Sequence, residues 1–343
     1  MKERSEKYDL LKIIAEVLVV IGHVTAMYSA TSAIPQAVSS TLLSSTYKAV
    51  GAGVMPLFMC LSGAVYNYCI GAGKYNNRLR FLGGKFLRLM LPYYFFSICT
   101  VAPVVVGLNI VYYDFPQFLL RGTLMAGYTR HLWYIISLFS IFILCAVFRN
   151  TLQKCPPVIL LAVFSVISFY SARLNTSVFQ VHQTTYYLLY FYVGMLVDRY
   201  WDGFFGIIRR GRHVFFAAGI AAVVYYTLYS EIKYIAAFGF ILAGFSLAAM
   251  VNTEKASGNR LYEMLRRDSF GVYLFHPMML YLLYYRLRGE VLNPYIWGVL
   301  SMTGVYIASV ALSELFRCLG LGLLLGEKPE KVRSREESSE KLP

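Results

Sequence analysis

From Tyr8 to Glu314 the chain alternates long apolar stretches with short polar interruptions, most of them basic. A bilayer core of about 30 Å needs roughly 20 apolar residues to be crossed by a helix. By that measure ten segments are candidate spans, at approximately 9–30, 48–71, 84–110, 131–149, 157–174, 183–199, 213–230, 233–251, 269–288 and 294–314. The stretch Val111 to Arg130 carries Asp114, Pro116, Arg121, Gly122 and Gly127 and is too interrupted to span. It is expected to be an outer loop with a short interfacial helix near Phe115 to Met125. Residues 327–343 are charged and nearly free of apolar side chains, which predicts a disordered, solvated tail. With no internal repeat and no loop long enough for a second domain, residues 1–326 read as one all-α, polytopic membrane helix bundle.

Composition agrees. Of 343 residues 58% are hydrophobic and only 15% charged, outside the range of ordinary soluble domains. The net charge of +14 invites a nucleic-acid reading, but the basic residues sit in clusters between apolar segments rather than along one soluble face. Topology accounts for them. One side receives Lys2, Arg4, Lys7, Lys74, Arg78, Arg80, Lys85, Arg149, Lys154, Arg199, Arg209, Arg210, Arg212, Lys255, Arg260, Arg266 and Arg267. The other side receives only Lys48, Arg121, Arg130, Arg173, Lys233, Arg286 and Arg288. The positive-inside rule then makes both termini cytoplasmic. The basic start invites a cleavable signal peptide, but Glu16 and His23 would interrupt its apolar core, so a retained first membrane helix is expected. The six cysteines follow no metal-ligand spacing and read as small core residues. Most of the 29 tyrosines fit an interfacial aromatic belt, with a minority left to line a sugar-binding cavity.

Tyr8 to Ala30 holds the candidate chemistry. At about 100° per residue, Lys12, Glu16 and His23 fall at about 0°, 40° and 20° around a helix, with Asp9 about 60° away. Each ionisable group near the centre of a span costs roughly 2.5–3.5 kcal/mol on insertion scales, so the stripe should face a bundle interior or a wet cavity. Lys12 and His23 lie about 16 Å apart along the axis, too far for a mutual bond. Glu16, one turn from Lys12, is placed to pair with it. A plain reading has the Lys12 and Glu16 pair snorkelling at the interface while His23 satisfies a backbone carbonyl. Against it stands the aptness of imidazole for accepting a proton near neutral pH.

The Lys-x10-His pattern in KIIAEVLVVIGH resembles the first-helix signature of acyltransferase family 3, integral membrane O-acyltransferases of bacterial surface polysaccharides. Further segments are similar in the same order: PLFMCLSG from Pro56, KFLRLMLPYY from Lys85, HLWYIISL from His131, YFYVGMLV from Tyr190 and SFGVYLFHP from Ser269. The resemblance implies a ten-helix domain in the inner membrane that moves an acyl group, commonly acetyl, from cytoplasmic acyl-CoA to a glycan or lipid-linked sugar hydroxyl. It makes His23 the catalytic histidine, with Glu16 in a tuning role. Lys12, Lys85 and Arg88 become the candidate CoA site, and clustered cations near an aqueous mouth suit its phosphates. Ser62, His131, Trp133 and His276 become candidate acceptor-side residues. For each of these a structural reading competes: positive-inside anchoring for Lys85 and Arg88, close helix packing for Ser62 and Gly63, interfacial placement for Trp133, and a bond to a carbonyl freed by Pro277 for His276. No metal is implied, and the SGNH hydrolase-like domain of some members is lacking. The rival class is a secondary transporter or flippase in which Asp9, Lys12, Glu16 and His23 relay protons or bind a solute.

Overall fold

The computed structural model describes residues 2–174, 176, 178–253 and 258–327. Lys255 and the expected tail beyond Glu327 lie outside the described residues. The described chain is helical, without strands. Its long elements are α1 (Lys2–Ala26), α2 (Thr41–Gly71), α3 (Arg78–Gly107), α4 (Arg130–Val147), α5 (Pro157–Arg173), α6 (Val181–Arg199), α7 (Trp201–Arg210), α8 (Arg212–Tyr229), α9 (Lys233–Met250), α10 (Arg260–Leu287) and α11 (Pro294–Cys318). Each of the ten apolar segments falls on one of these helices. Among the described residues, five are long and apolar enough to cross a membrane, namely α2, α3, α4, α9 and α11, and a sixth qualifies if α7 and α8 count as one bent span.

The 90° bend between α7 and α8 falls at Gly211. On α7, Trp201, Phe205 and Ile208 are buried while Asp202, Arg209 and Arg210 face out. That amphipathic pattern is expected of a helix lying in an interface rather than through it. The loop after α3 contains the expected short helix, Phe115–Gln117 running on as the π-helix Phe118–Leu124. Asp114 caps it by accepting from the Gln117 amide at 2.8 Å.

Helix α2 is the spine, packed along α1, α6 and α9. The approach to α6 is backbone to backbone: a Cβ on Gly63 would overlap the Phe191 carbonyl, and one on Gly194 the Cys60 carbonyl. Small residues permit this closeness between apolar helices. The packing reading of Gly63 therefore holds, whereas its neighbour Ser62 does something else. Helix α10 closes the bundle against α1 and α11. Val158, Val163 and Val166 on α5, Val214 and Leu228 on α8, and Val299 and Ile307 on α11 are exposed, the apolar exterior a lipid-embedded bundle needs. Of the cysteines, Cys60 and Cys145 are buried as expected, but Cys99 and Cys318 are on the exterior.

At the end holding the N-terminus, charges are paired inside the protein. Asp198 of α6 takes the Arg4 guanidinium at 3.3 Å, the Tyr8 hydroxyl at 2.9 Å and the Asn67 amide at 2.9 Å. Lys7 donates to the carbonyls of Ala248 and Val251 at 3.0 and 2.7 Å, capping the C-terminal end of α9. Asp268, fully buried, is shared by Arg267 and Arg317, and both arginines also meet Glu314. This network explains the apolar segment after the last span: Arg317 bonds Glu327 at 2.6 Å and ties residues 322–327 back against α3.

Candidate functional site

The stripe on α1 faces the bundle interior, but its pairing differs from the sequence expectation. Lys12 bonds Asp9 at 3.2 Å rather than Glu16, and Arg266 approaches the other Asp9 oxygen at 3.8 Å. Glu16 is 2% exposed; one carboxylate oxygen accepts from the Tyr306 hydroxyl at 2.8 Å and the other has no partner. The i,i+4 geometry that allows a Lys12 to Glu16 pair is outcompeted because α11 brings a hydroxyl to the deeper carboxylate. Asp9, nearer the mouth, answers the lysine.

Lys12 lies within electrostatic reach of Lys85, and so does Arg88. The three cations proposed from sequence are therefore gathered at one end of the bundle. The Lys85 ammonium stands 4.4 Å from the centre of the Phe142 ring and 5.4 Å from that of Tyr75, a cation–π setting that holds it without a carboxylate. Arg88 sits in a π-helical turn of α3, Phe86–Met90, and donates Nε to the Gly326 carbonyl at 2.9 Å. Its remaining guanidinium nitrogens make no protein hydrogen bond among the described residues.

His23, near the other end of α1, is enclosed by protein yet keeps accessible surface. It therefore stands at the edge of the packed interior rather than sealed within it. Its ring meets that of His276 edge to face, 5.0 Å between centres, and His276 in turn lies 6.5 Å from His131. Three of the five histidines thus converge from α1, α4 and α10. His276 Nδ1 lies 2.7 Å from the Val272 carbonyl, one turn back, on the helix interrupted by Pro277. A carbonyl only accepts, so Nδ1 carries a proton and Nε2, buried and unpartnered, presents a lone pair in the neutral ring. The buried His131 ring has no side-chain hydrogen-bond partner, and its nitrogens meet only the Leu274 backbone, in a long or poorly aligned contact. Among the described residues, no group of three or more His, Cys, Asp or Glu side chains is arranged to hold a metal ion.

Ser62 is linked toward this cluster through a 2.9 Å bond to the Tyr134 hydroxyl. Tyr134 packs against Tyr273, whose hydroxyl donates to the His131 carbonyl. Trp133 stacks on Tyr187, 5.0 Å apart, and reaches a separate pocket at the far end of the bundle. The structure therefore brings His23, His131, His276 and Ser62 together, sets Trp133 at the rim, and keeps Lys12, Lys85 and Arg88 at the opposite end. Tyr134, Tyr273 and Tyr306 were missed. Each lies within a segment rich in tyrosine, and only the tertiary contact sets it apart.

A hydroxyl or thioester reaching this cluster would find imidazole lone pairs, with a serine and two tyrosine hydroxyls linked to them and cations toward one end of the bundle. Such an arrangement can deprotonate an alcohol and hold an acyl group against it. The family model for the acyltransferase domain (acyltransferase family 3) matches residues 6–314. The chain belongs to that family, and its membrane-helix architecture is that of a membrane acyltransferase. No curated protein and no solved structure matches it.

Proposed function

We propose that the chain is a ten-span inner-membrane O-acyltransferase, both termini cytoplasmic, that takes an acyl group, acetyl first among candidates, from cytoplasmic acyl-CoA and delivers it to a hydroxyl of a cell-surface or lipid-linked glycan. The observation that carries this reading is the placement of His23: it is only partly buried and clusters with His276 and His131, between an end where Lys85 and Arg88 have no carboxylate partner among the described residues and an end that carries a pocket lined by aromatic and amide side chains.

CoA docks with its phosphates on Lys12, Lys85 and Arg88, and the pantetheine arm runs along α1 toward His23. The distance suits an extended arm: Lys12 and His23 are about 16 Å apart along the helix. His23 removes the proton of the acceptor hydroxyl as its oxygen attacks the thioester carbonyl. The C–S bond then breaks, and the CoA thiolate leaves with the proton that His23 returns. His276, whose Nδ1 is committed to Val272, orients the His23 ring; Tyr134 and Ser62, hydrogen-bonded to each other, supply hydroxyl donors for the oxyanion. Glu16 lies about two turns from His23 and acts on the field there.

Radiolabelled acetyl-CoA supplied to membranes carrying the chain tests the reading. Label on glycan, absent with His23→Ala at equal protein level, is the expected result. Movement of glycan or solute without label would overturn it in favour of transport.

A further inference from the structure

We propose that the pocket at the far end of the bundle is a subsite for an acidic saccharide, with Arg130 pairing its carboxylate or phosphate group. This rests on the reading that the acceptor reaches His23 from that end. The pocket has a volume of about 460 Å3, within the range of small-molecule sites, roughly 300–1,000 Å3. It is lined by Thr129, Arg130, Trp133, Gln180 and Gln183, with tyrosines of the loop after α3. Aromatic faces flanked by amides and a hydroxyl match a sugar ring, which has apolar C–H faces and a polar edge.

Charge then narrows the class. Arg130 is partly buried, its Nε is buried without a partner, and it forms no ion pair among the described residues. Its guanidinium rests only against the Tyr281 ring, at 5.9 Å. Arg121 adds a second cation over Tyr113, another lining residue, at 5.7 Å. No Asp or Glu lines the pocket among the described residues. A guanidinium with a buried, unpartnered Nε and no counter-ion leaves a donor unused, and a bidentate oxyanion on the occupant supplies what the protein does not. Thr129, 1% exposed, also holds a hydroxyl without a partner at this site.

The backbone is shaped for the same place. Among the described residues, six non-glycine positions have positive φ, and five of them, Asn109, Ala126, Arg130, Phe179 and Gln180, line the pocket or adjoin a lining residue. Left-handed conformations at non-glycine positions cost free energy and persist where surrounding contacts enforce them. Here the Phe179 amide donates to Met125 at 2.8 Å and the Gln180 amide group to Ala126 at 2.6 Å, clamping the two loops together. Arg130 and His131 are adjacent in one 3-10 turn, which ties the pocket wall to the histidine cluster, one ring from His276 and two from His23.

The test is direct binding to the full chain in nanodiscs, without acyl-CoA. A tetragalacturonate probe should bind at least tenfold more tightly than the neutral maltotetraose. Arg130→Gln should remove that preference, Arg130→Lys should keep part of it, and Gln183→Ala should weaken both sugars alike, each at an unchanged unfolding midpoint. Equal affinity of the native chain for the two sugars, or a preference that survives Arg130→Gln, would overturn the proposal. So would displacement by phosphatidylglycerol in the disc combined with no saccharide binding, which would assign the pocket to a lipid headgroup. Arg130-dependent binding without label transfer from acetyl-CoA would sink the acyltransferase reading alone; transfer to glycan without charge preference would sink this one alone.

Discussion

His23 and His276 meet edge to face, 5.0 Å between ring centres, one from the first helix and one from the tenth. The contact gives the two rings unequal duties, because only His276 has a nitrogen fixed by the backbone. His23→Ala should reduce acyl transfer by about 10²–10⁴, the usual worth of a positioned base. His276→Ala should cost less, up to roughly 10²-fold, through loss of alignment. Single-turnover rates at saturating acetyl-CoA check both; equal losses would make the pair one catalytic unit.

The three cations at the opposite mouth predict a donor phenotype. Lys12→Ala, Lys85→Ala and Arg88→Ala should each raise the half-saturating acyl-CoA concentration roughly tenfold, the worth of one charge-assisted hydrogen bond. kcat should change little. Added salt should raise the same parameter in the native chain and less in the variants. A fall in kcat at unchanged donor dependence would remove these residues from the CoA site.

Tyr306→Phe removes the one hydrogen bond to a buried carboxylate and should destabilise the bundle by about 1–3 kcal/mol. Adding Glu16→Gln should recover part of that loss, since the amide carries no charge to desolvate. Thermal unfolding in detergent measures both, and additive losses would show that the two side chains do not act together.

Gly63→Ala and Gly194→Ala should each fail to yield folded protein or lose at least about 1–3 kcal/mol, as their methyl groups meet backbone that cannot yield. Ser62→Ala, one residue away, should leave unfolding unchanged and act only on catalysis. Size-exclusion profiles separate the two behaviours.

Asp268→Ala should cost about 3–5 kcal/mol by stranding Arg267 and Arg317, and Asp268→Asn somewhat less. Normal folding of either would show that Glu314 and Glu327 suffice as counter-ions.

Helix positions were legible in the sequence because the need for about 20 apolar residues per crossing leaves a signal along the chain itself. The short helix after α3 was legible from Asp114 and Pro116, and the α1 stripe from the cost of its charges. What the sequence could not convey was partnership. Glu16 has Lys12 one turn away on its own helix and pairs with Tyr306 from the far end of the chain. Asp198 and Asp268 each sit beside an arginine at the edge of an apolar run, with nothing in the sequence to mark them, yet both are buried hubs. Three tyrosines that bond Ser62, His131 and Glu16 were hidden by abundance, and Arg130 by its inclusion in a loop read only for topology.

The glycine contact between α2 and α6 also divides the molecule mechanically. Two backbones locked at van der Waals distance behave as a keel, and Ser62 is part of it. Opposite stands α3, with π-helical turns at Phe86–Met90 and Ser97–Val101 where the regular ladder is already broken. Passage of an acyl chain must widen the bundle somewhere. In the proposed donor site, Lys85 and Arg88 therefore ride on the helix whose ladder is already broken, the wall best suited to yield.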